Sequence, residues 1–129
     1  MNSVCFVSGH RNITQDEFDE HYIPLINDAV DDGCSFVLGD FEGVDLLSQQ
    51  LLSSIDAKFT VYHMGDTPQH IVGDVETSKD YNSHIHRDFA MTLISDFDIC
   101  WVREGKEQSG TAQNIERRKL KDNGITDIV

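Results

Sequence analysis

Ser35-Phe36-Val37-Leu38-Gly39-Asp40-Phe41-Glu42-Gly43-Val44-Asp45 is the stretch whose reading decides the fold. Its first four residues, three of them large and apolar, read as a strand covered on both faces, the mark of a parallel sheet. Gly39, Asp40 and Gly43 supply a turn. Val44 then opens a run in which Val44, Leu47, Leu51 and Leu52 recur at helical spacing. Strand, glycine-containing turn and helix make the first half of a βαβ unit.

The same grammar stands upstream. Val4-Cys5-Phe6-Val7 is an apolar run closed by Ser8-Gly9-His10-Arg11-Asn12. Thr14-Gln15-Asp16-Glu17 fits a capping box, with Thr at the N-cap and Glu three residues on. Phe18, Tyr22, Leu25 and Ala29 follow at helical steps, Pro24 kinks or restarts the helix, and Gly33 caps its end. Downstream, Lys58–Tyr62 reads as a third strand and the stretch from about Gly65 to Tyr81 as a long loop of the functional kind. A helix is expected over about Asn82 to Ile94, with Ile85, Phe89, Leu93 and Ile94 as its apolar face. Asp98–Val102 is a fourth strand, Ser109-Gly110-Thr111 leads into a helix running to about Lys121, and Thr126–Val129 would make a last strand. The fold expected is α/β: a single Rossmann-like three-layer domain over residues 1–129, with a mainly parallel five-stranded sheet and helices on both faces. Val4–Val7, apolar throughout, belongs in the sheet interior.

Composition bounds the partners. An apolar fraction of 39% and a charged fraction of 26% are ordinary for a globular chain of 129 residues. The formal net charge of −13, with only 10 Lys and Arg, repels nucleic acid and anionic membrane surfaces, so neither is an expected partner. Any anion site must rest on backbone N–H groups, a few basic side chains or a bound cation. Cys5, Cys34 and Cys100 lack metal-ligand spacing and sit in apolar runs, as free thiols of a reducing, cytoplasmic protein do. The N-terminus shows no basic segment followed by an apolar one, so no secretory leader is expected, and no apolar run nears the roughly 20 residues that span a bilayer.

In parallel sheets ligands bind beyond the carboxyl ends of the strands, where strand order reverses. Three loops qualify, and each enters a helix N-terminus, where free N–H groups and the helix dipole favour an anion. They nominate Gly9, His10 and Arg11 from the first, Gly39, Asp40 and Gly43 from the second, and Ser109, Gly110 and Thr111 from the third. Asp40, Glu42 and Asp45, with Asp88 nearby, could cluster to hold a ribose diol, a base edge or a divalent cation. No other cofactor is called for. His84 and His86 project about 200° apart on a helix, so they share no metal-ligand face and read as surface histidines. Trp101 and Tyr62 read as core or interface residues, and Glu116-Arg117-Arg118-Lys119 as a solvated helix face.

Taken together, these loops resemble those of the SLOG superfamily, the Rossmann-like group of LOG-type nucleotide phosphoribohydrolases, DprA-like and YspA-like proteins. Ser8-Gly9-His10-Arg11 resembles the first-strand turn of the YspA-like members. Residues 39–45 resemble their Gly-Gly-x-x-Gly-x-Asp turn, with Asp40 in place of the second glycine. Arg87-Asp88-Phe89-Ala90-Met91 resembles the LOG Arg-Lys-x-x-Met helix, and Ser109-Gly110-Thr111 the Gly-x-Gly-Thr phosphate loop. The resemblance implies that Arg87 faces a ligand phosphate cradled by Gly110 and Thr111, and that the protein forms homo-oligomers. Arg87 is then expected at the surface, where its loss would weaken binding and leave stability nearly unchanged. The LOG catalytic Glu is here Asn114, an amide that cannot act as a base. The function expected is therefore binding of a nucleotide-like, phosphate-bearing small molecule, for sensing or sequestration. The alternatives are a nucleotide N-glycosidase or a deoxyribosyl- or phosphoribosyl-transferring enzyme using Asp40, Glu42 or Asp45, and a structural oligomer with a decayed site.

Overall fold

The computed structural model describes residues 3–125. Along the chain come β1 (Val4–Val7), α1 (Gln15–His21), α2 (Ile23–Asp31), β2 (Ser35–Leu38), α3 (Val44–Ser54), β3 (Phe59–Tyr62), β4 (Glu76–Ser78), α4 (His84–Ile94), β5 (Phe97–Ile99) and α5 (Gly110–Asp122). The strands form one sheet in the order β4-β3-β2-β1-β5, and every neighbouring pair is parallel. β1 lies inside the sheet, between β2 and β5. The strand expected at Thr126–Val129 lies outside the described residues; the fifth strand is β4, inside what reads from sequence as a loop. Its Glu76-Thr77-Ser78 carries no apolar alternation to signal it.

Alternation along β1 and β2 divides the core. Cys5, Val7, Phe36 and Leu38 pack with Phe18, Tyr22, Ile26, Val44 and Leu52, so α1, α2 and α3 cover one face. Phe6 and Val37 point to the other face and pack with Met91 of α4. Phe6 is paired in register with Asp98, which the Arg118 side chain of α5 reaches at 2.8 Å, so α5 lies on that second face beside α4. Beyond α4, over Val37, Thr60 and Tyr62, an open groove of about 340 Å³ runs along the sheet. No helix among the described residues is long and apolar enough to cross a membrane.

Local signals act as read at α1, where Thr14 Oγ1 accepts the Glu17 N–H at 3.1 Å and Glu17 accepts the Thr14 N–H at 2.9 Å. Pro24 restarts the chain as α2. That break resets the helical phase, so Ile26 is buried where the uninterrupted period places Leu25, which is exposed. Gly33 follows the α2 C-cap with φ +82°, the left-handed conformation a glycine there allows. In α4 the expected face is wrong: Ile85, Leu93 and Ile94 are exposed, and Arg87, Met91 and Thr92 face inward. A charged residue takes the core-facing position because a buried carboxylate waits for it there. The charge run of α5 is likewise half buried: Glu116 and Lys119 are solvated, but Arg118 pairs with Asp98 and Arg117 donates to Asn114 at 2.7 Å. Burial pushes the Cys5 and Cys34 thiols up and Cys100 to about 12, away from the thiolate form that reacts.

Candidate functional site

From β1 the chain steps to β2 on one side, and through α4 it reaches β5 on the other. The order reverses at β1, so a crevice must open between the carboxyl ends of β1 and β5. There the structure has a cavity of about 470 Å³, lined by Ser8–Asn12, by Gly39, Phe41 and Asp45, by His84, Arg87, Asp88 and Met91 of α4, and by Lys106, Ser109, Gly110, Thr111 and Asn114. Its back is tied shut by Tyr22, whose hydroxyl donates to the Ser8 carbonyl at 2.8 Å and accepts the Trp101 N–H at 3.0 Å. The residue 100–109 connection is tied across the front. His10 Nε2 accepts the Arg103 N–H at 2.9 Å, and the Arg103 guanidinium pairs with Glu17 at 2.6 Å and bonds the Asn12 side chain at 3.0 Å. That pairing holds the Glu17 carboxyl down, to about 2. Burial, then the Arg103 charge, lowers the His10 pKa.

The four glycines nominated from sequence divide by what occupies the space a side chain would need. A methyl on Gly43, whose φ is +77°, would strike the carbonyl oxygens of His10 and Arg11; Val44 N–H donates to the same His10 carbonyl at 3.3 Å. Gly43 thus lets two loops touch. Gly9 makes room for Tyr22 and Val44, and Gly39 for Asp45 Oδ2 at 2.6 Å and the Arg87 guanidinium carbon at 3.0 Å. Around Gly110 nothing lies within 4 Å. Of the four, Gly110 alone leaves its space to the cavity.

Arg87 is 4% exposed, and its Nη1 bonds Asp40, itself 2% exposed, at 2.9 Å. Its Nε and Nη2 bond Asp88 at 3.2 and 3.0 Å. Asp40 also takes the Gln69 N–H at 2.8 Å, while its carbonyl takes the His70 N–H at 3.1 Å, so the pair anchors the residue 63–75 connection. Buried Gln49 completes that anchor by donating to the Gly39 and His70 carbonyls and accepting the Val72 N–H at 2.9 Å. Asp88 accepts in addition from Asn114 at 3.3 Å. The expectation of a surface Arg87 is therefore corrected. The guanidinium borders the cavity, but its charge is balanced twice from within.

Asp45 differs from its neighbours. Its Oδ2 accepts the Phe41 N–H at 3.1 Å, and its Oδ1 has no hydrogen-bond partner among the described residues. Burial pushes its carboxyl up to about 7, against the opposing pull of the Arg87 charge and the Phe41 N–H. At the opposite wall Ser109 caps α5, taking the Ala112 N–H at 3.2 Å on its hydroxyl. The first N–H groups of a helix have no intrahelical acceptor, so those of Gly110 and Thr111 remain for a ligand. Ser8 lines the cavity at 7% exposure with its hydroxyl unpartnered among the described residues. Lys106 is exposed at the rim. Arg11 lies over the Phe41 ring at 3.6 Å, close to Glu42, and His84 tilts against the same ring at 4.7 Å.

Gly9, His10, Arg11, Gly39, Arg87, Ser109, Gly110 and Thr111 thus come together around one cavity, while Asp40 and Gly43 lie behind its wall. Of the three candidate reacting carboxylates only Asp45 lines it; both Asp40 oxygens are used internally, and Glu42 sits outside beside Arg11 and His70. Ser8, Phe41, His84, Lys106 and Asn114 join the lining without having been nominated as binding residues. Ser8 and Lys106 could have been found, since both stand within the glycine loops. Among the described residues no group of three or more His, Cys, Asp or Glu side chains is placed to hold a metal ion. Compared with protein-family models, curated proteins and solved structures, the chain matches none.

Two outcomes follow from the buried charges. Arg87→Ala strands Asp40 and Asp88 and should cost about 3–5 kcal/mol of stability, the range for breaking a buried ion pair from one side; denaturant titration measures it, and a loss within experimental error would mean the pair is solvated. Asp45 holds its proton in the native state between the ordinary carboxyl pKa of about 4 and its raised value of about 7. The stability this lends is complete below the lower value and lost as pH rises through the upper. The stability of Asp45→Asn relative to wild type should therefore climb across that window and level off above it; a flat difference would place Asp45 in contact with water.

Proposed function

We propose that the protein binds a phosphate-bearing, nucleotide-like small molecule in this cavity, as a sensing or sequestering module of SLOG type. One observation carries the reading: the N-terminus of α5 opens into the cavity with Gly110 unobstructed and the Ser8 hydroxyl unpartnered nearby. Helix N–H groups and dipole favour an anion there. The role assigned to Arg87 shifts from gripping the phosphate to fixing the wall beside it. Exposed Lys106 at the rim, with Arg11 across from Glu42, becomes the cation that the anion meets. A cavity of about 470 Å³ is of the size that holds a small ligand.

A second reading, cleavage at an N-glycosidic bond, has Asp45 in its favour, a cavity carboxyl able to hold a proton near neutral pH. Against it, the Asn114 amide is spent between Asp88 and Arg117. Association of two or more copies belongs to the same proposal. On α4, Ile94 is 57% exposed and Leu93 beside it is exposed too. Trp101 does not add to them, being stacked on His21 at 4.1 Å.

Titration calorimetry with adenosine monophosphate and with inorganic phosphate should detect binding of both. Lys106→Ala should weaken both by about tenfold, the scale of one charged hydrogen bond, with an unchanged melting temperature. Failure of both anions to bind would refute the reading, and release of free adenine would move it to the enzyme. Light scattering should give a multiple of 14.6 kDa that falls toward the monomer in Ile94→Glu; a wild-type monomer at high concentration would refute the association.

A further inference from the structure

Three carboxylates surround Arg87, and they are not equivalent. Asp40 has one oxygen on the guanidinium and the other on the Gln69 N–H. Asp88 has one oxygen on the guanidinium and the other on Asn114. Asp45 has one oxygen on the Phe41 N–H, none of the ion pairs reaches it, and Oδ1 has no partner among the described residues. Yet Asp45 is 8% exposed and lines the cavity, so its free oxygen has nowhere to be solvated but there. Oδ1 is not shut away from solvent as the Ser8 hydroxyl is, so it stands open to a donor on a ligand, and a hydrogen bond to a charged acceptor is among the stronger ones. Its position is set rigidly, because Asp45 stands in the first turn of α3 and Gly39, having no side chain, leaves the space that Oδ2 fills.

A carboxylate beside an anion site also discriminates. It repels a second phosphate group and rewards a neutral group that carries hydrogen-bond donors. We infer that Asp45 reads a hydroxyl of the ligand through Oδ1, so that the cavity takes a phosphorylated sugar, free or within a nucleotide, in preference to a bare anion. This rests on the phosphate reading of the α5 N-terminus and adds the other end of the ligand to it. The phosphate lies at Gly110 and Thr111, the sugar hydroxyls lie against Asp45, and the Arg87 cluster forms the wall between.

The probes are ribose 5-phosphate, methyl phosphate and inorganic phosphate, titrated calorimetrically at about pH 8, where a carboxyl even of this kind is ionised. In wild type, ribose 5-phosphate should bind at least about tenfold tighter than methyl phosphate. Asp45→Asn, of the same shape, should remove that margin while inorganic phosphate binds as before. Equal binding of ribose 5-phosphate to wild type and Asp45→Asn would overturn the inference and leave the phosphate site standing. No binding of any probe would overturn both. If Asp45→Asn fails to fold, the wild-type comparison alone decides: no margin between ribose 5-phosphate and methyl phosphate refutes the role of Asp45. A margin abolished by a chelator would also refute it, in favour of a divalent cation held between carboxylate and ligand.

Discussion

A guanidinium buried between two carboxylates organises this molecule. Arg87 comes from α4 on one face of the sheet, Asp40 from the turn after β2, and Asp88 from the next position along α4. Desolvating such a pair is expensive and is offset only when each polar atom finds a partner. Here the partners are structural elements. Asp40 receives the backbone of the long residue 63–75 connection, and Asp88 receives Asn114 of α5. Satisfying one buried charge therefore fixes the relative places of a helix, a turn, a helixless crossover and the last helix. The crossover most needs it, because β3 and β4 are parallel neighbours joined without a covering helix.

Using Arg87 in this way decides where an anionic ligand can go. The chain carries −13 overall, and its best-placed cation is already neutralised. What remains at the cavity is the backbone dipole at the start of α5 and the charges of exposed Lys106 and of Arg11, which sits 3.6 Å from Glu42. Backbone dipoles have an advantage in a strongly acidic protein. They are local, oriented by the helix, and attract no counter-carboxylate of their own. Under the proposed reading the remaining negative charge would disfavour a polyanion, which has little to gain from a cavity with Asp45 on its wall.

Features encoded within a few residues were legible in the sequence, and those that depend on long-range partners were not. The Thr14–Glu17 capping box, the restart at Pro24 and the all-apolar β1 each carry their cause in adjacent positions. The face of α4 does not. Ile85, Phe89, Leu93 and Ile94 have helical spacing and apolar chemistry, and periodicity ranks them above Arg87. Arg87 turns inward because Asp40, 47 residues away, is buried opposite it. β4 is similar, a polar edge strand held by register with β3 and by His63 N–H on the Ser78 carbonyl. That the three glycine loops sit at the carboxyl ends of parallel strands was legible from the alternation of strands and helices; the strand order that brings them around one cavity was not.

A glycine in a strand-to-helix turn marks where space is left without saying what fills it. In a strand-to-helix turn, a missing side chain reads equally well as space for a ligand or as space for the protein itself. Three of the four here serve the protein: Gly9 admits Tyr22, Gly39 admits Asp45 and Arg87, and Gly43 admits the backbone of the first loop. The contact at Gly43 joins loop one to loop two, and the Tyr22 hydroxyl joins β1 to the chain leaving β5. Those two walls of the cavity are consequently rigid. Gly110 differs because its open side is not filled by the fold, and the connection leading to it is tied down through Arg103 and His10 rather than by core packing. The cavity thus has a preformed wall that presents Asp45 and a polar-tethered wall that presents free N–H groups. Under the proposed reading a ligand would gain most by spanning the two, because either wall alone offers a single kind of contact.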